Sequence, residues 1–181
     1  MILFDLPIYQ FIMSIFPVNN TILTIMKLIT TLGSTLVIVS GILSVAVISW
    51  KNKKIFLTFL SANLIGVILN NLIKIIVRRP RPTQTLVMTV ENSYSFPSGH
   101  SMMSMIFYGL IIYYIMKYMK NKRLKNIFVP LLSAIIFLIG ISRIYLGVHY
   151  ATDVLCGWII GLVYLIIFIK ILNRKKVKTS K

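Results

Sequence analysis

Five apolar stretches, over residues 21–50, 55–77, 98–118, 127–143 and 153–172, are separated by short polar or basic blocks. A helix that crosses a bilayer needs about 20 apolar residues, because the hydrocarbon is roughly 30 Å thick and offers the backbone no water. Four of the stretches reach that length, and 127–143 reaches it by gaining a turn just past Arg143. A soluble core in a chain of 181 residues does not need 57% apolar residues and a mean hydropathy of +0.88. The pattern therefore predicts an all-α integral membrane protein, with one membrane-embedded domain over 1–172 and about five transmembrane helices. Residues 1–17 are too short to span and are interrupted by Asp5 and Pro7, so they read as an amphipathic helix lying in the interface. Trp50 suits an interfacial anchor. Residues 173–181 form a basic tail. There is no convincing internal repeat, and the first residues lack the pattern of a cleavable signal peptide.

The formal charge is +17, with Asp5, Glu91 and Asp153 as the only acids. A nucleic-acid partner is disfavoured, because the cations fall mostly in short runs between apolar segments, as loop charges that set topology do. Fourteen of them (Lys51, Lys53, Lys54; Lys117, Lys120, Lys122, Arg123, Lys125; Lys170, Arg174, Lys175, Lys176, Lys178, Lys181) belong to alternate connections and the tail. The positive-inside tendency puts these in the cytoplasm. Lys74, Arg78, Arg79, Arg81 and Arg143 then fall on the outer side, with Lys27 near the outer end of the first span. The single cysteine, Cys156, excludes an internal disulfide and a multi-cysteine metal site.

Three polar blocks meet on that outer side. Lys74 shares a helical face with Asn63, Gly66 and Asn70, and polar groups in lipid turn inward; taken alone, Lys74 would be read as snorkelling to the head groups. Pro80 and Pro82 keep Arg81 on extended backbone. Pro97-Ser98-Gly99-His100 opens the third span, where Ser98 suits an N-cap and free amides suit an oxyanion. The last block holds Ser142, Arg143, His149 and Asp153. If the fifth span starts near His149, then His149 and Asp153 share a face, and the carboxylate fixes one ring nitrogen while the other keeps its lone pair. Two imidazoles, three spaced cations and a carboxylate suit the holding and splitting of a phosphate ester. Gly157 and Gly161 extend the face of Asp153 and suit close packing against a neighbouring helix, and with Gly66 and Gly140 they are small enough to leave a lateral opening for a lipid chain.

In order, Lys-x6-Arg-Pro (Lys74, Arg81, Pro82), Pro-Ser-Gly-His (Pro97 to His100) and Ser-Arg-x5-His-x3-Asp (Ser142, Arg143, His149, Asp153) resemble the signature of the type 2 phosphatidic acid phosphatases, membrane lipid phosphatases related to vanadium haloperoxidases. The resemblance covers roughly 74–161, matches every motif position and looks most like bacterial phosphatidylglycerophosphate phosphatases. It implies the helical-bundle core of that family. It also implies that His149 attacks phosphorus to form a phosphohistidine, Asp153 holds its ring and His100 protonates the departing oxygen. Lys74, Arg81 and Arg143, helped by Ser98 and the Gly99 amide, would clamp the phosphate oxygens. No metal or other cofactor is implied, since three cations fill the place of Mg²⁺ and carboxylates are scarce. The expected partners are a lipid phosphate, such as phosphatidylglycerophosphate or phosphatidic acid, and the bilayer itself. Members often have six spans, whereas five plus an interfacial N-terminal segment are expected here, without the first family span. The rival within enzymes is an undecaprenyl-diphosphate phosphatase using the same residues. A non-catalytic lipid-binding or transport protein is the remote reading, and it fits poorly with an intact motif set at one membrane face.

Overall fold

The computed structural model describes residues 4–83 and 93–178. Glu91 lies outside them. Every regular element among the described residues is helical: α1 (Asp5–Ile15), α2 (Asn20–Thr31), α3 (Thr35–Ile48), α4 (Lys53–Val77), α5 (Gly99–Tyr118), α6 (Lys122–Tyr145) and α7 (Ala151–Lys178). Four of them, α4 to α7, are long and apolar enough to cross a membrane, and α1 with α2 make a fifth only if that pair, bent by 119°, counts as one span. Polarity is distributed as lipid requires. On α4, Leu57, Leu64, Ile68, Leu72 and Ile75 are exposed, while Asn63, Asn70 and Lys74 are buried. This arrangement is stable only where the outer solvent is hydrocarbon. The chain is a multi-pass helical membrane protein.

The apolar run 21–50, expected to form one span, is instead two helices with a break at Leu32–Ser34. Hydropathy does not mark this break, because Leu32, Gly33 and Ser34 carry no charge and lie within one continuous apolar run. Its cause is local and tertiary together. Ser34 caps α3 by accepting from the Val37 amide, and the Tyr108 hydroxyl donates to the Leu32 carbonyl at 2.8 Å. A backbone carbonyl freed at membrane depth must find such a donor. Gly33 sits so close to Ile139 and His100 that a Cβ would lie 2.7 Å and 3.2 Å from their side chains. The expected interruptions at Asp5 and Pro7 do not interrupt: both lie in the first turn of α1, where a proline costs no hydrogen bond. The expected fourth span extends at both ends, from Lys122 to Tyr145, and α7 carries the basic tail on as helix to Lys178.

The central contact is between α5 and α7. Ser98 caps α5 through its own side chain, which accepts from the Ser101 amide, and its backbone N–H donates to the Asp153 carbonyl at 3.0 Å. One turn further on, a Cβ on Gly157 would stand 2.9 Å from the Ser98 carbonyl oxygen, and one on Gly161 equally close to that of Met102. Two helices approach this closely only where the facing residues lack side chains. Gly157 and Gly161 thus pack against a neighbouring helix as their spacing predicts, and none of the four glycines leaves the lateral opening that was also expected. Gly66 meets Ile106, Gly140 meets the Trp158 ring, and Gly157 and Gly161 meet the α5 backbone, so each is filled by its neighbour.

Because the obstacle at Gly157 is backbone, it cannot rotate away. Gly157→Ala is expected to destabilise the protein by about 1–3 kcal/mol through overpacking, read as a lowered thermal midpoint in detergent, whereas Cys156→Ala one residue earlier leaves the midpoint within about 0.5 kcal/mol equivalent.

Candidate active site

The candidate residues come from four places in the chain that the helices deliver to one end of the bundle. Lys74 ends α4, Ser98 and Gly99 start α5, Arg143 ends α6, and Asp153 lies in the first turn of α7. His149 is not on α7, as the four-residue spacing to Asp153 suggested. It sits in the turn before it, which leaves α6 through Gly147 at φ 70, a left-handed position suited to glycine. Asp153 meets it all the same by folding back over that turn. Its Oδ2 accepts from the Tyr150 amide at 3.0 Å and lies 3.6 Å from His149 Nδ1.

His149 is only 3% exposed and its two ring nitrogens face different surroundings. Nδ1 looks at acceptors: the Asp153 carboxylate and, at 3.4 Å, the Ser95 hydroxyl, which itself donates to Asp153 Oδ2. The proton therefore belongs on Nδ1. Nε2 keeps the lone pair and faces Arg81 Nη1 at 3.4 Å. Burial holds the His149 imidazole at about 4, below its ordinary 6.5. The Asp153 hydrogen bond pulls the other way, while the Arg143 and Arg81 cations add to the lowering. The ring is thus neutral at any physiological pH.

The cations are held by backbone carbonyls and hydroxyls. Arg81 donates to the Val148 and Ser93 carbonyls at 2.9 Å and 2.8 Å and to the Ser93 hydroxyl at 2.9 Å. Lys74, far from snorkelling, is buried and donates to the Tyr94 carbonyl. Arg143 reaches back to Thr30 Oγ1 on α2 at 3.1 Å. Gly99 faces Asn70 Oδ1, which a Cβ would meet at 3.4 Å. His100 stands apart from His149 in one respect. It opens with Gly99 onto a cavity of about 420 Å³ that runs between α3, α4 and α5, whereas His149 opens onto a pocket of about 70 Å³ with Asp5, Tyr9 and Tyr150.

Three residues at the site went unread in the sequence. Ser95 precedes the Pro-Ser-Gly-His block, Asp5 lies about 70 residues from any motif, and Arg79 was only one of several loop cations. Arg79 Nη1 lies 2.5 Å from Asp153 Oδ1. The adjacent Pro80 and the scarcity of acids were the only available hints.

Fold and site together define a helical membrane protein with an imidazole–carboxylate–guanidinium cluster built into one end of its bundle. Residues 55–176 match the model of the PAP2 superfamily, and the chain belongs to that superfamily. The resemblance drawn from the three motifs is borne out. Among curated relatives, the chain is similar to phosphatidylglycerophosphatase B of Bacillus subtilis (strain 168), 41% identical over 97 residues that cover 52% of this chain and 47% of the relative. It is also similar to an undecaprenyl-diphosphatase of Sulfolobus acidocaldarius, 26% identical over 116 residues covering 61% of this chain and 52% of that one. The chain thus spans about half the length of the curated relatives it matches. Among solved structures, a transmembrane PAP2-type phosphatidylglycerolphosphate phosphatase from Bacillus subtilis superimposes with a TM-score of 0.83 at 29% identity, over 94% of this chain and 85% of that one. LpxE of Aquifex aeolicus shares the fold, with a TM-score of 0.69 at 24% identity over 92% and 94% of the two chains.

The depressed imidazole has a signed consequence. Between pH about 6.5 and about 4 the unfolded chain binds a proton at His149 that the folded chain refuses, so stability falls as the pH drops through that window, by about 3 kcal/mol in all. With only two histidines in the chain, ¹⁵N-histidine NMR in detergent separates them. The His149 signal is expected to titrate near 4, and to move upward in Arg81→Gln, where a neighbouring cation is lost.

Proposed function

We propose that this protein is a membrane phosphatase that hydrolyses lipid phosphates through a phosphohistidine on His149. The observation that carries the reading is the polarisation of that ring: Nδ1 faces Ser95 and Asp153, while Nε2 is left with its lone pair beside the Arg81 guanidinium. A neutral imidazole held in one tautomer is a nucleophile, and an adjacent cation attracts the phosphate it attacks. Nε2 forms the bond to phosphorus as the bond to the lipid oxygen breaks, and His100 gives that oxygen a proton. Water then attacks the phosphohistidine and gives its proton to the now neutral His100, returning the electron pair to Nε2 and releasing inorganic phosphate. Lys74, Arg81 and Arg143, with Ser98 and the Gly99 amide, hold the non-bridging oxygens, which is the electrostatic work phosphoryl transfer needs.

The lipid assignment rests on the cavity beside His100. Its walls include Ile38, Ile42, Leu60, Leu64 and Val67 of α3 and α4, with Asn63, Asn70 and Asn71 of α4 among them. An acyl chain fits such a groove while its phosphate stays at the helix ends. Phosphatidylglycerophosphate is the first choice and phosphatidic acid the second, in line with the Bacillus relative. The similarity to an undecaprenyl-diphosphatase keeps a polyprenyl diphosphate as the alternative. An outward-facing site is supported by charge: the basic connections lie at the opposite ends of the spans, and cations of short loops tend to stay in the cytoplasm.

Phosphate release from phosphatidylglycerophosphate, phosphatidic acid, undecaprenyl diphosphate and glucose phosphate in mixed micelles tests the reading. A lipid is expected to give the highest kcat/KM, and a preference for glucose phosphate would refute it. His149→Ala is expected to lose about four orders of magnitude in turnover and all phosphoenzyme. His100→Ala should lose about 10²–10⁴-fold and retain a trappable intermediate. Activity should survive chelators and fall with vanadate.

Topology is open to an independent measurement in a Cys156→Ser background. A membrane-impermeant thiol label should reach Thr83→Cys in intact cells and Asn121→Cys only after permeabilisation. The reverse pattern would put the site in the cytoplasm.

A further inference from the structure

Asp5 and Arg79 belong to none of the motifs, yet both are drawn into the site. The Arg79 guanidinium is shared between two carboxylates: Nη1 lies 2.5 Å from Asp153 Oδ1 and Nη2 lies 2.6 Å from Asp5 Oδ2. The other oxygen of Asp5 accepts from the Thr152 amide at 2.9 Å and the Thr152 hydroxyl at 2.8 Å, and Thr152 Oγ1 also accepts from Arg79 Nη1 at 2.7 Å. The Tyr150 ring closes the other side, 4.0 Å from the guanidinium carbon. Asp5 is 2% exposed and Asp153 fully buried, so two of the three acids of the chain are spent on this cluster. A buried carboxylate at the start of an amphipathic helix is costly unless it is fully bonded. For anchoring alone, an apolar residue at this position would serve as well or better. Asp5 also lines the pocket onto which His149 opens, together with Leu6 and Tyr9 of the same helix.

The function of this cluster follows from how Asp153 divides its two oxygens. Oδ1 is taken by Arg79, while Oδ2 accepts from Tyr150 N–H and Ser95 and faces His149 Nδ1. If the guanidinium turned away, nothing among these contacts would hold Oδ1, and the carboxylate could rotate its hydrogen-bonding edge off the imidazole. Asp5 prevents this by gripping the far end of the same planar fork, and a guanidinium fixed at both ends cannot turn. We propose that Asp5, acting through Arg79, is a positioning residue for the reaction: it fixes the Asp153 carboxylate that orients His149, and so makes α1 part of the active site. The proposal rests on His149 being the nucleophile.

The test uses the full chain in detergent with phosphatidic acid in mixed micelles. Asp5→Asn is nearly isosteric and is expected to lower kcat about tenfold to a hundredfold, the cost of a misoriented catalytic group, while KM stays within about twofold. Asp5→Glu should recover most of the loss. In an Asp153→Asn background, assayed at high enzyme, Asp5→Asn should cause no further loss, because its effect passes through that carboxylate. Arg79→Lys keeps the cation but breaks the fork, and should reproduce the kcat loss; it carries the same test if Asp5→Asn does not fold. Full kcat in both variants, with only a lowered thermal midpoint, would reduce the cluster to an anchor and overturn the proposal. So would an equal loss in the Asp153→Asn background. Wild-type protein that releases phosphate from no lipid would instead refute the hydrolase reading, and the proposal would fall with it.

Discussion

The first turns of α5 and α7 are locked together, and the site depends on that lock. Ser98 donates its amide to the Asp153 carbonyl, and Gly157 lets the two backbones touch one turn below. The amide ends of both helices therefore open at the same spot. Each brings a positive dipole end that favours an anion, and at α7 the leading amides already serve carboxylates, Tyr150 N–H donating to Asp153 and Thr152 N–H to Asp5. Ser98, Gly99 and Asp153 are placed by this contact. His149 is placed by the Gly147 turn that leads into it.

A bilayer makes this concentration of polarity almost unavoidable. Hydrocarbon forces the backbone into helices and leaves charged side chains only two stable settings, the helix ends or a fully bonded interior. Lys74, Arg79, Arg81 and Arg143 take both at once: each lies at or beyond a helix end, and each is tied to a carbonyl, a hydroxyl or a carboxylate. Fixing cations in this way removes the reorganisation that flexible lysines would undergo on meeting a phosphate. The same burial that makes a charged imidazole unfavourable keeps His149 neutral, so one physical cause both shelters the site and prepares the ring.

Apolar access and polar chemistry meet at His100. Across the break at Leu32–Ser34 the packing partner changes, α2 lying on α6 and α3 on α4, and Gly33 makes room there for the imidazole. The cavity beside it is walled by aliphatic side chains of α3 and α4 and by Asn63, Asn70 and Asn71, and it reaches Gly99 and His100. A lipid substrate could keep its chain in hydrocarbon and present only its head to the cations.

Much of this was legible in the residues alone. Long apolar runs demand membrane helices, alternate basic connections fix which ends lie together, and the Lys74–Arg81, Ser98–His100 and Arg143–Asp153 blocks stand out because polar residues are expensive in such a chain. These are one-dimensional signals, set by length, hydropathy and charge; the superfamily itself was legible through the resemblance of the three motifs to its signature. What the sequence could not determine depends on contacts between distant segments. The break inside 21–50 is stabilised by Tyr108, some 75 residues further on. The glycines suited both a gap and a close helix contact, because a missing side chain is equally compatible with either, and the fold uses them for contact. Asp5 reads as a helix interruption until α1 folds back and sets it against Arg79 and Thr152. Which nitrogen of His149 faces the cations was likewise decided by Ser95 and Asp153 together, through a turn whose shape no spacing rule encodes.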